Sequence, residues 1–461
     1  MRDYLFPLLQ LQRFFIPVLL AALCWAIWRT AVKKDLAVGL ALYLSLVVIV
    51  DGFYNTGIYL PGMEKGSIRY SELCAAFLLF CRRPAVARHA PYASMCILVG
   101  IYFVLMALSV LRSDPLLPAI SEFRQVIVPQ ILAFLVAIRL LETPEEHRRF
   151  FLCLTPLVLL VGVFDFWDIF FDRWVLYSDV LNNAIYWNNR KQGRYGSVFL
   201  NPNYLGAFVV LVFPALFGYF LDKQRLALRM LCGASLLALA FCLIETQSRG
   251  PLLAVAVASV LLVIGPVTGV SRMRRFGMFA LFVAVLTLFM PGFYEHSIQR
   301  FGAVENELSE DKPSRETTWS YTSRLIAEQP LLGIGFGEAG FVSAMRATDF
   351  HDRFEHDSLD NPHNSYLQVA VYAGIPALAA FILANLTLLA HALRVLMGSA
   401  NESSGRAGLG LTVGIIGFLV SIYTDPQLFT STVAPVYWVF AGLLLSVVSN
   451  VAPARAAEAS H

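Results

Sequence analysis

The feature that most constrains this chain is a series of long apolar stretches that recurs along nearly its whole length. A helix needs about 20 apolar residues to cross the hydrocarbon core of a membrane, and stretches near this length occupy most of the sequence. Charged residues make up only 15% of the chain, whereas soluble domains carry roughly 25%. The sequence therefore predicts an α-helical protein that crosses a membrane many times.

The apolar stretches predict about 12 or 13 membrane-spanning helices. The predicted spans are 13–29, 36–54, 68–81, 91–111, 117–140, 149–171, 200–221, 226–246, 250–268, 275–292, 364–394, 407–424 and 431–450. The stretch at 68–81 is short and begins with polar residues, so the number of spans is 12 or 13 depending on whether it crosses the membrane. The predicted fold is thus an all-α polytopic membrane protein with one large, partly helical loop.

Three regions follow from this pattern. Residues 1–292 hold the first ten spans and a shorter external loop at about 172–199. Residues 293–363 form the large loop, and residues 364–461 form the last spans and a short tail. No glycine-serine linker or repeat divides the chain, so we expect one membrane domain with a loop inserted in it.

Basic residues cluster in alternate short connections between the predicted spans, at 29–35, 81–90, 139–149, 222–229 and 271–275. Because Lys and Arg are retained on the cytoplasmic side, these connections are predicted to be cytoplasmic. The connections between them then face the other side, which is the periplasm in a bacterium. That side receives the loops at 172–199 and 293–363 and the turns at 245–250 and 425–430. The side of the N-terminus depends on the number of spans.

Neither the seven cysteines nor the charged run at 350–360 shows the residue spacing of a metal site or a disulfide framework. All seven cysteines lie in or next to apolar runs, which is typical of small packing residues. The charged run at 350–360 contains histidines and acids, but no pair in it has the spacing typical of metal ligands. Such a run is more often a solvated charged face, and its role stays open.

Arg249 lies in a very short external turn, TQSRGP, between two strongly apolar stretches. A lone arginine there can anchor the helix ends at lipid headgroups. Alternatively, Gly250 and Pro251 fix the start of the next helix, so that its backbone N–H groups and the guanidinium point at one place and bind a phosphate group. The sequence leaves both interpretations open.

The segment 315–374 contains the longest polar stretch of the chain, which ends with His363 directly before an apolar span. Asn361 and Pro362 interrupt the chain, and Asn364 can cap the helix that follows. An imidazole held in this way at the membrane boundary can act as a general base near neutral pH. The structural alternative is a side chain that only makes hydrogen bonds at the helix start.

Arg315 opens the pattern R-E-x-x-W and precedes a predicted amphipathic helix, 317–328. It can bind an anion, or it can pair with Glu316 or the acidic run at 305–311. The glycine-rich segment GIGFG at 333–337 looks like a phosphate-binding loop, but no strand is predicted before it. We therefore expect a tight loop in place of a nucleotide site.

Two further regions supply candidate substrate-binding residues. The segment WNNRKQGRYGS contains Trp187, Arg194 and Tyr195, and aromatic and amide side chains together suit sugar faces and hydroxyls, although the same composition is typical of an interfacial belt. Arg124 falls within a predicted span, where a charge costs at least a few kcal/mol. It should therefore have a partner or line a polar cavity. Asn364, next to His363, is the last candidate substrate-binding residue.

Four of these motifs occur in one order on one predicted side: S-R-G at 248–250, R-x-x-x-W at 315–319, P-L-L-G-I-G-F-G at 330–337, and H-N-S-Y-(x)7-G at 363–374. In this arrangement the chain resembles the bacterial O-antigen ligase and O-antigen polymerase superfamily. The resemblance extends over the hydrophobic architecture and is sharpest over about 245–380.

The resemblance implies a GT-C-like glycosyltransferase of the bacterial inner membrane, with its active site on the periplasmic side. It would move an O-antigen glycan from undecaprenyl pyrophosphate to lipid A–core oligosaccharide, surrounded by membrane lipids and without a nucleotide sugar or a divalent metal cofactor. It further implies that Arg249 and Arg315 bind the pyrophosphate and that His363 is the base. Arg194 and Arg124 match the family pattern less closely.

Three other functions are compatible with parts of the pattern. An O-antigen polymerase shares the superfamily but uses a second donor lipid as acceptor. A protein O-oligosaccharyltransferase is expected to have a further C-terminal region after residue 450. A lipid or polysaccharide transporter would carry charges within its spans and an internal repeat, whereas here the polar residues collect on one external side.

Overall fold

A computed structural model of the chain describes residues 22–51, 57–58, 68–81, 90–141, 143–171, 184–221, 225–264, 271, 273–277, 280, 315–350, 360–398 and 403–458. The described residues are almost entirely helical. One short antiparallel pair, β1 (Gly57–Ile58) and β2 (Ile68–Arg69), is the only β-structure among them.

The helices in chain order are α1 Leu36–Ser45, α2 Tyr70–Phe80, α3 Ala90–Val110, α4 Leu116–Leu140, α5 Pro144–Phe171, α6 Ala184–Lys191, α7 Pro202–Phe220, α8 Leu226–Thr246, α9 Arg249–Ile264, α10 Arg315–Glu328, α11 Glu338–Arg346, α12 Ser365–Gly398, α13 Ser403–Ser421 and α14 Val433–Glu458. A π-helical turn, Leu46–Asp51, continues α1. Short 3-10 turns lie at Ser197–Phe199 and Gln427–Phe429.

Six described helices are long and apolar enough to cross a membrane: Tyr92–Val110, Leu116–Leu140, Glu145–Ile169, Pro202–Phe220, Leu226–Thr246 and Ser365–Leu396. Five shorter apolar helices accompany them: Leu36–Asp51, Tyr70–Phe80, Arg249–Ile264, Gly408–Ser421 and Val433–Ser449. Each of these helices coincides with a predicted span, which confirms a polytopic membrane protein. The predicted spans 13–29 and 275–292 lie largely outside the described residues, so the total number of spans stays a prediction.

Helix α7 lies at the centre of the bundle and packs against α8, α9, α13 and α14. Its contact with α13 is very close because glycines face it. A Cβ atom added at Gly410 would lie 2.4 Å from the carbonyl oxygen of Pro214, and one added at Gly414 would lie 2.6 Å from that of Leu211. Small residues four apart allow helix backbones to approach in this way. The start of α7 is thereby held against the end of α13, where the candidate site lies.

The long helix α12 is interrupted at Gly374, whose φ of 86° and ψ of 169° are not helical. In an unbroken helix the N–H of Ile375 would donate to the carbonyl of Val371. Instead it donates to the carbonyl of Pro330 at 2.7 Å, and the free carbonyl of Val371 accepts the N–H of Ile334 at 2.8 Å. The glycine-rich segment is therefore docked into the break by two exchanged backbone hydrogen bonds.

The other side of the glycine-rich segment is also bonded within the protein. The N–H of Phe336 donates to the carbonyl of Ser109 at 3.3 Å, and the hydroxyl of Ser113 donates to the carbonyl of Phe336 at 2.8 Å. The N–H of Glu338 donates to the carboxylate of Glu122 at 2.8 Å. These groups join the segment to α3 and α4, as expected of a tight structural loop.

We predict that Gly374→Ala destabilises the protein. A Cβ atom at this position would lie 2.3 Å from the carbonyl oxygen of Leu331, and the backbone conformation is one that essentially only glycine adopts, at a cost of about 1 to 3 kcal/mol for other residues. The melting temperature of the purified protein in detergent should therefore fall.

Gly100→Ala is the matched control. An added Cβ atom at Gly100 meets no atom within 4 Å, and alanine is the better helix former by about 1 kcal/mol. This variant should melt at or slightly above the wild-type temperature. Equal melting of the two variants would contradict the role assigned to the break in α12.

Candidate functional site

The turn that carries Arg249 lies against a loop from a distant part of the chain. Helix α8 ends at Thr246 and α9 begins at Arg249, so the predicted short turn is present. A Cβ atom added at Gly250 would lie 2.3 Å from Oγ1 of Thr424. The first turn of α9 is therefore in direct contact with the connection between α13 and α14, residues 422–432, which we call the Asp425 loop.

The start of α12 is bonded to the same loop. The N–H of Ser365 donates to the carbonyl of Ile422 at 2.9 Å. The hydroxyl of Ser365 donates to the carbonyl of Asp425 at 2.9 Å and accepts the N–H of Leu428 at 3.3 Å. Asn364 caps the helix, since its Oδ1 accepts the N–H groups of Tyr366 and Leu367 at 2.9 and 3.2 Å. The residue directly before this cap, His363, is thus held next to the Asp425 loop.

A third segment reaches the loop through Arg194. Its guanidinium donates to Oδ1 of Asn203 at 2.7 Å and to Oγ of Ser248 at 2.9 Å. Asn203 in turn donates through Nδ2 to Oδ1 of Asp425 at 3.0 Å. The predicted candidate Arg194 is therefore linked to the buried carboxyl group of Asp425 through one amide side chain.

Asp425 experiences two positive charges at once. Burial raises the pKa of its carboxyl group from the ordinary 3.8 to about 6, while the charge of Arg315, the hydrogen bond from Asn203 and the charge of Arg194 each lower that pKa in part. Arg315 and Arg194 are far apart in the sequence but act on one carboxyl group. The Asp425 carboxyl group therefore lies within the electrostatic influence of both guanidinium groups.

Arg315 is brought here by helix α10. The buried side chains of this helix are Thr318, Tyr321, Thr322 and Leu325, a spacing of one helical face, and this face lies against α12. Arg315 itself, at the first residue of α10, is exposed. The amphipathic helix predicted for this segment is therefore present and holds Arg315 over the start of α12.

His363 adopts a strained backbone conformation. Its φ is 49°, in the left-handed region that non-glycine residues occupy at a cost of about 1 to 3 kcal/mol. Its N–H donates to Oδ1 of Asn361 at 2.9 Å, and the carbonyl of Pro362 accepts the indole N–H of Trp319 at 2.9 Å. Strain of this kind persists only where the surroundings fix it, and it is frequent at functional sites.

The environment favours a neutral imidazole at His363. The residue reaches solvent, yet the protein around the ring displaces enough water to lower its pKa below the ordinary 6.5, and the positive charge of Arg315 lowers it further. A neutral imidazole can accept a proton. The charge of Arg315 thus acts on both His363 and Asp425, Arg194 is linked to Asp425 through Asn203, and Arg249 lies at the neighbouring helix start.

The remaining sequence-predicted residues are Arg124, Tyr195 and Trp187. Arg124 on α4 forms an ion pair with Glu72 on α2 at 2.7 Å, so it has the partner that its position within a span requires. The backbone N–H of Tyr195 donates to the carbonyl of Glu245 at 3.1 Å, and its ring lies 5.6 Å from the guanidinium of Arg190. Their roles in substrate binding, and that of Trp187 on α6, stay predictions.

Three residues of this arrangement were not predicted from the sequence: Asn203, Ser248 and Asp425. Asp425 had a usable signal, because it is an acid in a very short external connection between two apolar spans. Ser248 stands directly before Arg249, but a serine in a turn is unremarkable on its own. The runs at 305–311 and 351–359 lie outside the described residues. Among the described residues, no group of three or more His, Cys, Asp or Glu side chains could hold a metal ion.

The balance of charge determines what the arrangement can do. Arg194 and Arg315 act on a single carboxyl group whose pKa is raised, so two positive charges face at most one negative charge at Asp425. Fixed guanidinium groups near a low-dielectric boundary bind phosphate oxygens and stabilise negative charge that develops on a leaving group. With a neutral imidazole beside them, they suit the displacement of a phosphate-linked group by a hydroxyl.

We predict that stability depends on the protonation of Asp425. Because its pKa is about 6 in the folded protein and 3.8 ordinarily, the folded state binds the proton more tightly. The stabilisation is therefore fully present below pH 4 and is lost as the pH rises through 6; it amounts to about 3 kcal/mol over this interval. In melting experiments between pH 4 and 7, the stability of Asp425→Asn relative to wild type should rise with pH.

Asp349→Asn, at an exposed carboxylate, is the control and should show a difference from wild type that does not change over this range. If the difference between Asp425→Asn and wild type were also constant with pH, the carboxyl group would not be protonated in the way described.

Part of the chain matches the model of a known protein family. Residues 234–382 of the 461-residue chain match the family model described as O-Antigen ligase, whereas no curated protein matches the chain. The matched range includes the turn at Arg249, helix α10, the glycine-rich segment and the first part of α12. The matched range contains Arg249, Arg315 and His363, so this part of the chain is similar to the O-antigen ligase family.

Proposed function

We propose that this protein is an O-antigen ligase. It transfers a preassembled O-antigen glycan from undecaprenyl pyrophosphate to lipid A–core oligosaccharide, at the periplasmic face of the bacterial inner membrane. The observation that carries the proposal is the convergence of Arg194, Arg315 and His363 on the Asp425 loop, within a bundle of apolar helices. The family match over residues 234–382 supports it.

The helical bundle suits a donor with a long isoprenoid tail. Each CH₂ group of such a tail contributes about 0.8 kcal/mol when it is kept from water, so the tail remains in the membrane while its diphosphate lies at the boundary. Arg315 and the Asp425 loop lie at helix ends. A donor held in the membrane can therefore present its diphosphate to the site without leaving the bilayer.

Arg315, Arg249 and Arg194 hold the diphosphate in this proposal. When the bond between the anomeric carbon and the phosphate oxygen breaks, negative charge develops on the leaving diphosphate. Guanidinium groups that are already fixed in place stabilise this charge without reorganisation at the moment of reaction. The hydrogen bonds of Arg194 to Asn203 and Ser248 fix its position in this way.

His363 activates the acceptor. The neutral imidazole accepts the proton of the attacking hydroxyl of the core oligosaccharide as that oxygen bonds to the anomeric carbon. The diphosphate leaves from the opposite face of the sugar, and the anomeric configuration is inverted. The lowered pKa of His363 keeps the imidazole unprotonated near neutral pH, and the strained backbone at this residue fixes its position.

We predict that substitutions of His363 and Arg315 separate the chemical step from donor binding. His363→Ala should lose at least about hundredfold in transfer rate, the lower end of the range for general base catalysis, and should still bind the lipid-linked donor. Arg315→Ala should lose both transfer and donor affinity, because a charge-assisted contact to the diphosphate is removed. Donor binding and single-turnover transfer are measured on purified protein in nanodiscs.

The chain offers a matched control for each variant. His391 lies further along α12, where its Nδ1 contacts the carbonyl of Thr387, and Arg324 is an exposed residue of α10 whose guanidinium lies over the ring of Tyr321. His391→Ala and Arg324→Ala should transfer at nearly the wild-type rate. Full transfer by His363→Ala would rule out its role as the base.

The function itself is tested with defined substrates and in a deletion strain. Purified protein should transfer a lipid-linked glycan to lipid A–core, and cells without the gene should accumulate long glycans on the undecaprenyl carrier beside bare core. Core capped by a single repeat unit in the deletion strain would instead indicate a polymerase. Unchanged lipopolysaccharide would contradict both functions.

A further inference from the structure

We propose that Trp319 is a positioning residue that sets the orientation of His363 by holding the peptide bond that precedes it. The effect of Trp319 on transfer rests on the function proposed above. Its effect on the protonation of His363 is independent of that function.

The peptide bond between Pro362 and His363 is held at both of its polar groups. Its carbonyl oxygen accepts the indole N–H of Trp319 at 2.9 Å, and its N–H donates to Oδ1 of Asn361 at 2.9 Å. Because a peptide unit is planar, two hydrogen bonds from opposite edges fix the orientation of the whole plane. The direction in which the His363 side chain leaves the backbone is then fixed as well.

Trp319 also couples His363 to the nearest positive charge. Arg315 and Trp319 are four residues apart on α10, a spacing that puts two side chains on one face of a helix. The indole N–H therefore ties the His363 peptide to the same helical turn that carries Arg315. The lowered pKa of His363, to which Arg315 contributes, is consistent with this short connection.

The ring of Trp319 makes a second contact, separate from the hydrogen bond of its indole N–H. Its centroid lies 5.2 Å from that of Tyr423, edge to face, and Tyr423 belongs to the Asp425 loop. One side chain thus contacts α10, the His363 segment and the Asp425 loop. Replacing the tryptophan by phenylalanine keeps an aromatic ring for Tyr423 and removes the hydrogen bond to Pro362, so the two contacts can be separated.

The test is Trp319→Phe, measured first by the reaction of His363 with diethylpyrocarbonate. This reagent modifies the neutral imidazole, so the modification rate against pH, followed by mass spectrometry, reports the protonation of His363. We expect a midpoint below 6.5 in the wild type. In Trp319→Phe the midpoint should move up towards 6.5, because the ring is released from Arg315 and from its buried surroundings.

The second measurement is transfer. Trp319→Phe should lower the single-turnover rate about ten- to hundredfold, the size expected when a reacting group is misplaced by about 1 Å, and should leave donor affinity within about twofold of wild type. A loss of stability alone would reduce the amount of active protein and would leave the midpoint for His363 unchanged.

Trp438→Phe is the matched control. The indole N–H of Trp438 donates to Oε1 of Gln130 at 2.8 Å in the buried core, so this variant loses a hydrogen bond of the same kind elsewhere. It should melt at a lower temperature with no shift in the midpoint for His363. An unchanged midpoint in Trp319→Phe would overturn the proposal. A shifted midpoint in a protein without transfer activity would support the positioning role and contradict the proposed function instead.

Discussion

The candidate site depends on the hydrogen bonds between Ser365 and the Asp425 loop. Buried backbone groups in a membrane protein have no water to bond with, so each irregular segment must find partners within the protein. Ser365 supplies three such bonds, to Ile422, Asp425 and Leu428. Through them the start of α12 and the connection after α13 become one rigid unit. Every other part of the site is attached to this unit.

Three separate segments are attached to it by different kinds of contact. The α8–α9 turn packs closely through Gly250, where an added Cβ atom would lie 2.3 Å from Oγ1 of Thr424. The segment of Arg194 is joined by an amide that bonds both the guanidinium and the buried carboxyl group. Helix α10 is joined by an indole that bonds the peptide before His363. Steric fit, polar links and aromatic contact therefore act together in holding these segments against the Asp425 loop.

The sequence predicted the membrane helices and most of the charged members of the site, because both carry local signals. Apolar stretches of span length are visible without any knowledge of packing, and arginines or a histidine at span ends stand out against an apolar background. Arg194, Arg249, Arg315 and His363 were found in this way. Asn203 and Ser248 were not found, because the role of a neutral polar residue depends on its hydrogen-bond partners, and these are known only from the folded structure. Asp425 lay between these cases: its position was unusual, but the charges that act on it come from distant segments. For the same reason the break at Gly374 was predicted as an uninterrupted span, since only the docked loop explains it.

The exchange of hydrogen bonds at this break has a consequence for motion. The amides of Ile334 and Ile375 each depend on a carbonyl of the other segment, so neither segment can open without leaving the other with an unbonded polar group inside the protein. The loop and the helix break therefore form one cooperative unit of local unfolding. A displacement of α10 that pulls on the glycine-rich segment would therefore also act on α12, the helix that begins two residues after His363.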